Sequence, residues 1–291
     1  MHADPNCATL LMKSWTDVYR RQSISHSPFF HPPGLRGRTT NPNTSTKSAN
    51  FYASKSKSQT TSVTSSKMST VTFRFSDSMI KTHLSEIQTS CPNASPFDFL
   101  TAMFWLSVLH AKTNTKTDQP CKISIGIDFR KLLEAPLPHG FFGNALHFSS
   151  VSSDEEEIKQ GGLEYFTRII HENRTSLNEE EFWSGIEWFE SQKDGGGKFT
   201  TPFRMYGPEL TSVNLEHMFA YAAVLEDKKP LHVSYHIENL EGEGLILVLP
   251  SPEEGLGRTV MITLPEDQTA KICRDSNILR LEPTMIVSGK H

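Results

Sequence analysis

Side chains able to do chemistry are thinly spread along this chain of 291 residues. His232 and His236 stand four apart in an alternating, strand-like run and share a face with Ser234. No third metal ligand accompanies them, so they read as solvent-facing strand histidines and no metal site is expected. Carboxylates cluster at Asp154-Glu155-Glu156-Glu157, Glu179-Glu180-Glu181 and Glu253-Glu254. These read as helix starts or turns, because a helix N-terminus favours negative charge. Cys7, Cys91, Cys121 and Cys273 have no metal-ligand spacing and read as free thiols in a reducing compartment. There is no Gly-x-Ser-x-Gly, and Gly195-Gly196-Gly197 lacks the Lys-Ser/Thr of a phosphate loop. Spacing alone yields no complete active site and no bound cofactor.

The elements that would position these groups are easier to read. With 36% hydrophobic and 21% charged residues, the chain describes a soluble globular protein carrying extra polar segments. A net charge of -4 argues against a nucleic-acid binder. No run approaches the roughly 18 apolar residues of a membrane helix, and Met1-His2-Ala3-Asp4-Pro5 lacks the features of a signal peptide. Neither a membrane span nor secretion is expected. From Val18 to Ser76 there are nine Lys and Arg and no acidic residue, which leaves 20 basic against 33 acidic residues elsewhere. Residues 23–67 hold 18 Ser and Thr, a composition that buries too little surface to offset its ordering entropy. This segment is expected to be a disordered basic connector between a leading segment, 1–22, and a main body, 68–291.

The leading segment reads as one helix. Asp4 suits the N-cap and Pro5 the first turn, while Ala8, Leu11, Met12, Trp15, Val18 and Tyr19 make one apolar face that must dock on something. In the main body a strand at Val71–Phe75 precedes a short helix through Ile80 and Leu84. A capping box at Ser95–Asp98 then opens a helix buried on most sides. Further strands are read at Ile123–Ile127, Leu210–Val213, Leu231–Ile237, Gly244–Leu249 and Thr259–Leu264. Helices are expected after Asp154, near Glu179–Gln192 and after Pro265. This order predicts an α/β fold: a mixed sheet with helices on one face.

Four segments together resemble the plant CoA-dependent BAHD acyltransferases. They are His2-Ala3-Asp4-Pro5 with the helix through Trp15, Ile127-Asp128-Phe129-Arg130 followed by Phe141-Phe142-Gly143-Asn144, the Ser95–His110 helix, and Gly244–Pro252. The resemblance implies a chloramphenicol-acetyltransferase-like domain. In a full member two similar domains are joined by a connector, so this chain would hold the tail of the first domain and all of the second, an N-terminally truncated form. The family motif is His-x-x-x-Asp. Its aspartate matches Asp4 and its histidine would fall one position before Met1; His2, at the wrong spacing, is not that base. The resemblance implies that Asp4 pairs with Arg130 as a structural brace, leaving no complete catalytic set, and that acyl-CoA is the co-substrate.

A second family hallmark, Asp-Phe-Gly-Trp-Gly before Lys-Pro, aligns with Val224-Leu225-Glu226-Asp227-Lys228 before Lys229-Pro230, so the motif is replaced. That loss, with the stretch Tyr206–Glu216, resembles the Eceriferum-like branch. The branch implies a non-catalytic accessory of very-long-chain acyl-CoA elongation for cuticular wax. Such a protein would be a cytoplasmic monomer near the endoplasmic reticulum, partnered by an elongase condensing enzyme. The alternative is an acyl-CoA-dependent O- or N-acyltransferase whose catalytic histidine lies upstream.

Overall fold

The computed structural model describes residues 3–30, 46–58, 67–112, 120–130, 132–133, 137, 140–198, 206–235, 237 and 240–287. Two helices lead, α1 (Pro5–Tyr19) and α2 (Lys47–Ser58). The body follows as β1 (Met68–Phe75), α3 (Asp77–Ile87), α4 (Pro96–Ala111), β2 (Cys121–Asp128), β3 (Leu146–Ser153), α5 (Glu155–Gln160), α6 (Gly162–Thr175) and α7 (Glu179–Ser191). It ends with β4 (Leu210–Asn214), β5 (Leu245–Pro250), β6 (Arg258–Pro265), α8 (Glu266–Ile272), α9 (Ser276–Leu279) and β7 (Thr284–Val287).

The seven strands form one mixed sheet in the order β3-β2-β4-β5-β6-β1-β7. β2, β4 and β5 run parallel, and the remaining pairs are antiparallel. Period-two alternation sends Phe73, Phe75, Ile123, Ile125, Ile246, Val248, Val260 and Ile262 to one face. There they meet α4, whose residues Pro96–Leu109 are all buried, together with side chains from α3, α6, α8 and α9. The expected mixed sheet under a helical layer is therefore what folds. α4 starts at the expected capping box, and Asp98 within it pairs with Arg174 at 2.8 Å and His171 at 3.0 Å, fastening α4 to α6.

The opposite face carries Leu245, Leu247, Val213, Phe148 and Met261, and here the connector expectation needs correcting. Within 23–67, residues Lys47–Ser58 are not a disordered linker but a helix, with Ala49, Phe51 and Tyr52 buried against this face beside Trp188 of α7. Composition misled because two aromatics suffice to anchor a helix whose polar termini are completed from elsewhere. Glu181 of α7 accepts the backbone N–H groups of Lys47 and Ser48, and Thr46 accepts that of Ala49. Residues Ser23–Phe30 run back along α1, Lys13 bonding Ser25 at 2.6 Å; 31–45 and 59–66 lie outside the described residues.

Two further expectations differ. The described part of Leu231–Ile237 is irregular, although it alternates; Arg74 occupies the Leu231 carbonyl, and Val233, Tyr235 and Ile237 pack on the second cluster instead of a strand neighbour. β3 escaped the sequence reading because its serines hide the strand pattern. Among the described residues no helix is long and apolar enough to cross a membrane.

Candidate functional site: a buried carboxylate–guanidinium brace

β2 ends at Asp128 and delivers Phe129 and Arg130 into a loop that returns through Gly140–Asn144 to β3. Gly140 lies so close to the backbone of Ser27 that an added Cβ would sit 2.0 Å from the Ser27 carbonyl oxygen. The approach lets Phe29 donate to Gly140 and Phe142 donate to Phe29. This zips segment 27–30 onto the loop.

α1 enters the same corner by its N-terminus. Asp4 caps the helix, accepting the Cys7 N–H at 3.2 Å, accepts the Ala145 N–H at 2.9 Å, and forms an ion pair with Arg130 Nη2 at 2.9 Å. Arg130 also binds Asp128 through Nη1 at 2.9 Å and donates to the Gly143 carbonyl at 3.1 Å. Asn6 donates to Asp128 at 2.6 Å. Gly143 is clamped by Cys7, whose Sγ accepts its N–H and reaches its carbonyl, both at 3.2 Å.

Both charges are buried, Asp4 at 3% and Arg130 at 8% exposure. Burial alone would lower the guanidinium pKa; Asp128 and Asp4 outweigh it and raise the value, keeping Arg130 charged. Burial, reinforced by Asp4, pushes the Cys7 thiol up, so it is a packing and hydrogen-bonding group and not a thiolate. Burial and then the Asp4 charge also raise Tyr206, and raise Tyr235 to about 12. Tyr221, which adds to the Tyr235 shift, has a buried hydroxyl with no hydrogen-bond partner among the described residues. Cys7 N–H, Ala145 N–H and the Arg130 guanidinium all donate to Asp4, so the carboxylate ties together a helix start, a loop and a strand end. This arrangement holds a backbone in place.

The family resemblance implied a pairing of Asp4 with Arg130, and the structure puts them in contact. The sequence reading missed Asn6, Cys7 and Asp128 as members of the same cluster. Asp128 was in principle visible, two residues before Arg130 at a strand end; Cys7 looked like one more apolar helix residue. His2 and His236 lie outside the described residues. His232 is engaged at Nδ1 by Arg74, 3.3 Å away, and burial followed by that positive charge lowers its pKa. The three carboxylate clusters accept backbone N–H groups: Glu157 closes a local capping box with Asp154, while Glu181 caps the distant α2 and Glu253 accepts the distant Asp77 N–H.

Val224–Lys228 is a tight two-residue turn. Leu225 and Lys228 exchange backbone hydrogen bonds at 3.0 and 2.8 Å, with Glu226 and Asp227 both at positive φ, 48° and 61°. That is the backbone of a type I′ turn. Val224 donates to Thr16, and exposed Asp227 pairs with Arg20 at 3.1 Å, so the turn leans on α1.

The Transferase family model matches residues 2–279. The chain belongs to that family. It is the BAHD acyltransferase family, to which the curated relatives also belong. Protein ECERIFERUM 2 of Arabidopsis thaliana is 27% identical over 206 residues, 71% of this chain and 43% of that protein. Hydroxycinnamoyltransferase 1 of Oryza sativa subsp. japonica is 24% identical over 278 residues, 92% of this chain and 62% of that protein. The solved structure of F. sporotrichioides TRI101 complexed with coenzyme A and T-2 superposes with a TM-score of 0.69 at 14% identity, covering 96% of this chain and 64% of that one. The fold is that of CoA-dependent acyltransferases, and the chain spans less than two thirds of the length of these relatives.

Proposed function

We propose that this BAHD-family chain is a non-catalytic, Eceriferum-like accessory of very-long-chain acyl-CoA elongation, working with an elongase condensing enzyme on wax precursors at the cytosolic face of the endoplasmic reticulum. One observation carries the reading. Where the Asp-Phe-Gly-Trp-Gly hallmark aligns, the chain has a solvent-exposed turn, Leu225–Lys228, that leans on α1 through Val224 and Asp227. The similarity to ECERIFERUM 2 supports the same branch. Acyl-CoA is the ligand class that follows, since TRI101 is a coenzyme A complex of the same fold. Co-expression with a condensing enzyme in a host of defined acyl-chain length tests it: longer acyl products are expected, and an unchanged chain-length profile contradicts it.

The second reading is an acyl-CoA-dependent O- or N-acyltransferase whose general-base histidine is supplied from ahead of Met1. The intact Asp4–Arg130 pair and the match to hydroxycinnamoyltransferase 1 over 92% of this chain favour it. General-base assistance is worth ~10²–10⁴-fold. A longer form that acylates an alcohol or amine, and loses that rate when the histidine is replaced by Ala, would establish this reading.

A further inference from the structure

α2 has two faces of different chemistry. Ser48, Ala49 and Tyr52 are buried towards the sheet. Lys47, Asn50, Phe51, Ser54 and Lys55 recur at i, i+3, i+4, i+7 and i+8, the spacing of one helix face, and line a cavity of about 940 Å³. That volume lies within the ~300–1,000 Å³ of small-molecule sites. The facing wall is built from β2, β3, α6 and the segments that lead into β4 and β5. The cavity stands apart from the brace: β2 begins in its wall at Cys121 and ends in the brace at Asp128, a strand rise of about 23 Å.

Its charges are unequally matched. Glu209 is held by Lys55 and Ser124, and Glu243 pairs with Lys112 at 2.6 Å. Lys47 and Lys122 are exposed and make no ion pair among the described residues, which leaves two unmatched cations on a chain of net charge -4. Asn50, Ser54 and Ser150 line the cavity with side-chain amide and hydroxyl groups that make no hydrogen bond among the described residues. Asn173 is fixed by the Ser149 hydroxyl at 2.7 Å and the Ser150 carbonyl at 3.2 Å. The walls are set before any ligand arrives, because Glu181 holds the start of α2 and Tyr52 accepts the Phe148 N–H of β3.

We propose that this cavity binds a phosphate monoester of a polyhydroxylated body, such as a sugar phosphate. The phosphate dianion matches the two free lysines, whereas a single carboxylate would leave one of them unanswered. Hydroxyl groups of the ligand match the open amide and hydroxyls, and its carbon skeleton covers Phe51, Pro120 and Pro208. The proposal is independent of whether the chain transfers acyl groups.

Calorimetric titration of the full chain with glucose 6-phosphate, ribose 5-phosphate, inorganic phosphate and glucose tests it. Saturable binding of at least one sugar phosphate with Kd below about 1 mM is expected, with inorganic phosphate and glucose each at least about tenfold weaker. A double variant, Lys47→Gln with Lys122→Gln, is expected to weaken that binding at least about tenfold. Both side chains are exposed, so the variant keeps its circular dichroism and melting point, which separates lost binding from lost folding. Saturating coenzyme A is expected to leave the affinity for the sugar phosphate unchanged. Failure of both sugar phosphates to bind, equal affinity for inorganic phosphate, an unaffected double variant or displacement by coenzyme A would each overturn the proposal.

Discussion

The Asp4–Arg130 brace and the Val224–Lys228 turn both touch α1 and both hold an Arg–Asp ion pair, and they differ in burial. The brace is interior, charged and satisfied by donors from three elements. The turn faces solvent, and its one ion pair has an 89% exposed carboxylate. At the brace, removing a partner would strand a buried charge, whereas at the turn water can solvate whatever stands there.

Replacing Arg130 by Met is expected to break this contrast most visibly. It leaves Asp4 and Asp128 uncompensated, and a loss of about 3–5 kcal/mol in denaturant unfolding is expected. A loss near that of a surface pair would mean the brace is already hydrated.

A second inward-facing cluster shows that the cost belongs to burial and not to the family motif. His147 sits between Ser48 at 2.9 Å and Tyr52 at 3.3 Å, packed against α7, and burial lowers its pKa to about 4 even though Glu181 acts to raise it. With the folded value below the ordinary 6.5, the unfolded chain binds the proton more readily. This contribution is complete above about pH 6.5, is lost as pH falls towards 4, and amounts to roughly 3 kcal/mol. The difference between the stability–pH curves of the native chain and His147→Gln isolates it; parallel curves would contradict it.

Tyr52→Phe should cost about 1–3 kcal/mol in thermal or chemical unfolding, since the buried Phe148 N–H loses its acceptor. At the turn the sign reverses. Glu226→Asn, which suits positive φ better, should stabilise by about 0.5–1 kcal/mol. Destabilisation there would show that Glu226 holds something the exposed turn does not reveal.

Legibility in the sequence followed the same division. Elements with a long, clearly bounded apolar run, such as α4 and β6, were readable, and so was the Asp4 N-cap, because local chemistry decides them. The Asp4–Arg130 pair was readable only through resemblance, since 126 positions separate its members and no spacing rule links them. α2 was hidden by its lysines and serines, its capping carboxylate lying at Glu181. Leu231–Tyr235 alternated like a strand but lost its ladder to Arg74 and to packing. Long-range partners decided each of these, and none of them is visible in a local window.

Under the proposed non-catalytic reading, residues 1–291 keep the acyltransferase scaffold and transfer no acyl group by themselves. Release of coenzyme A thiol by the purified chain, given long-chain acyl-CoA with alcohol and amine acceptors, tests that directly. No release above the protein-free rate is predicted. Turnover at an enzymatic rate of about 1 s⁻¹ or more, reduced in Asp4→Asn, would contradict it.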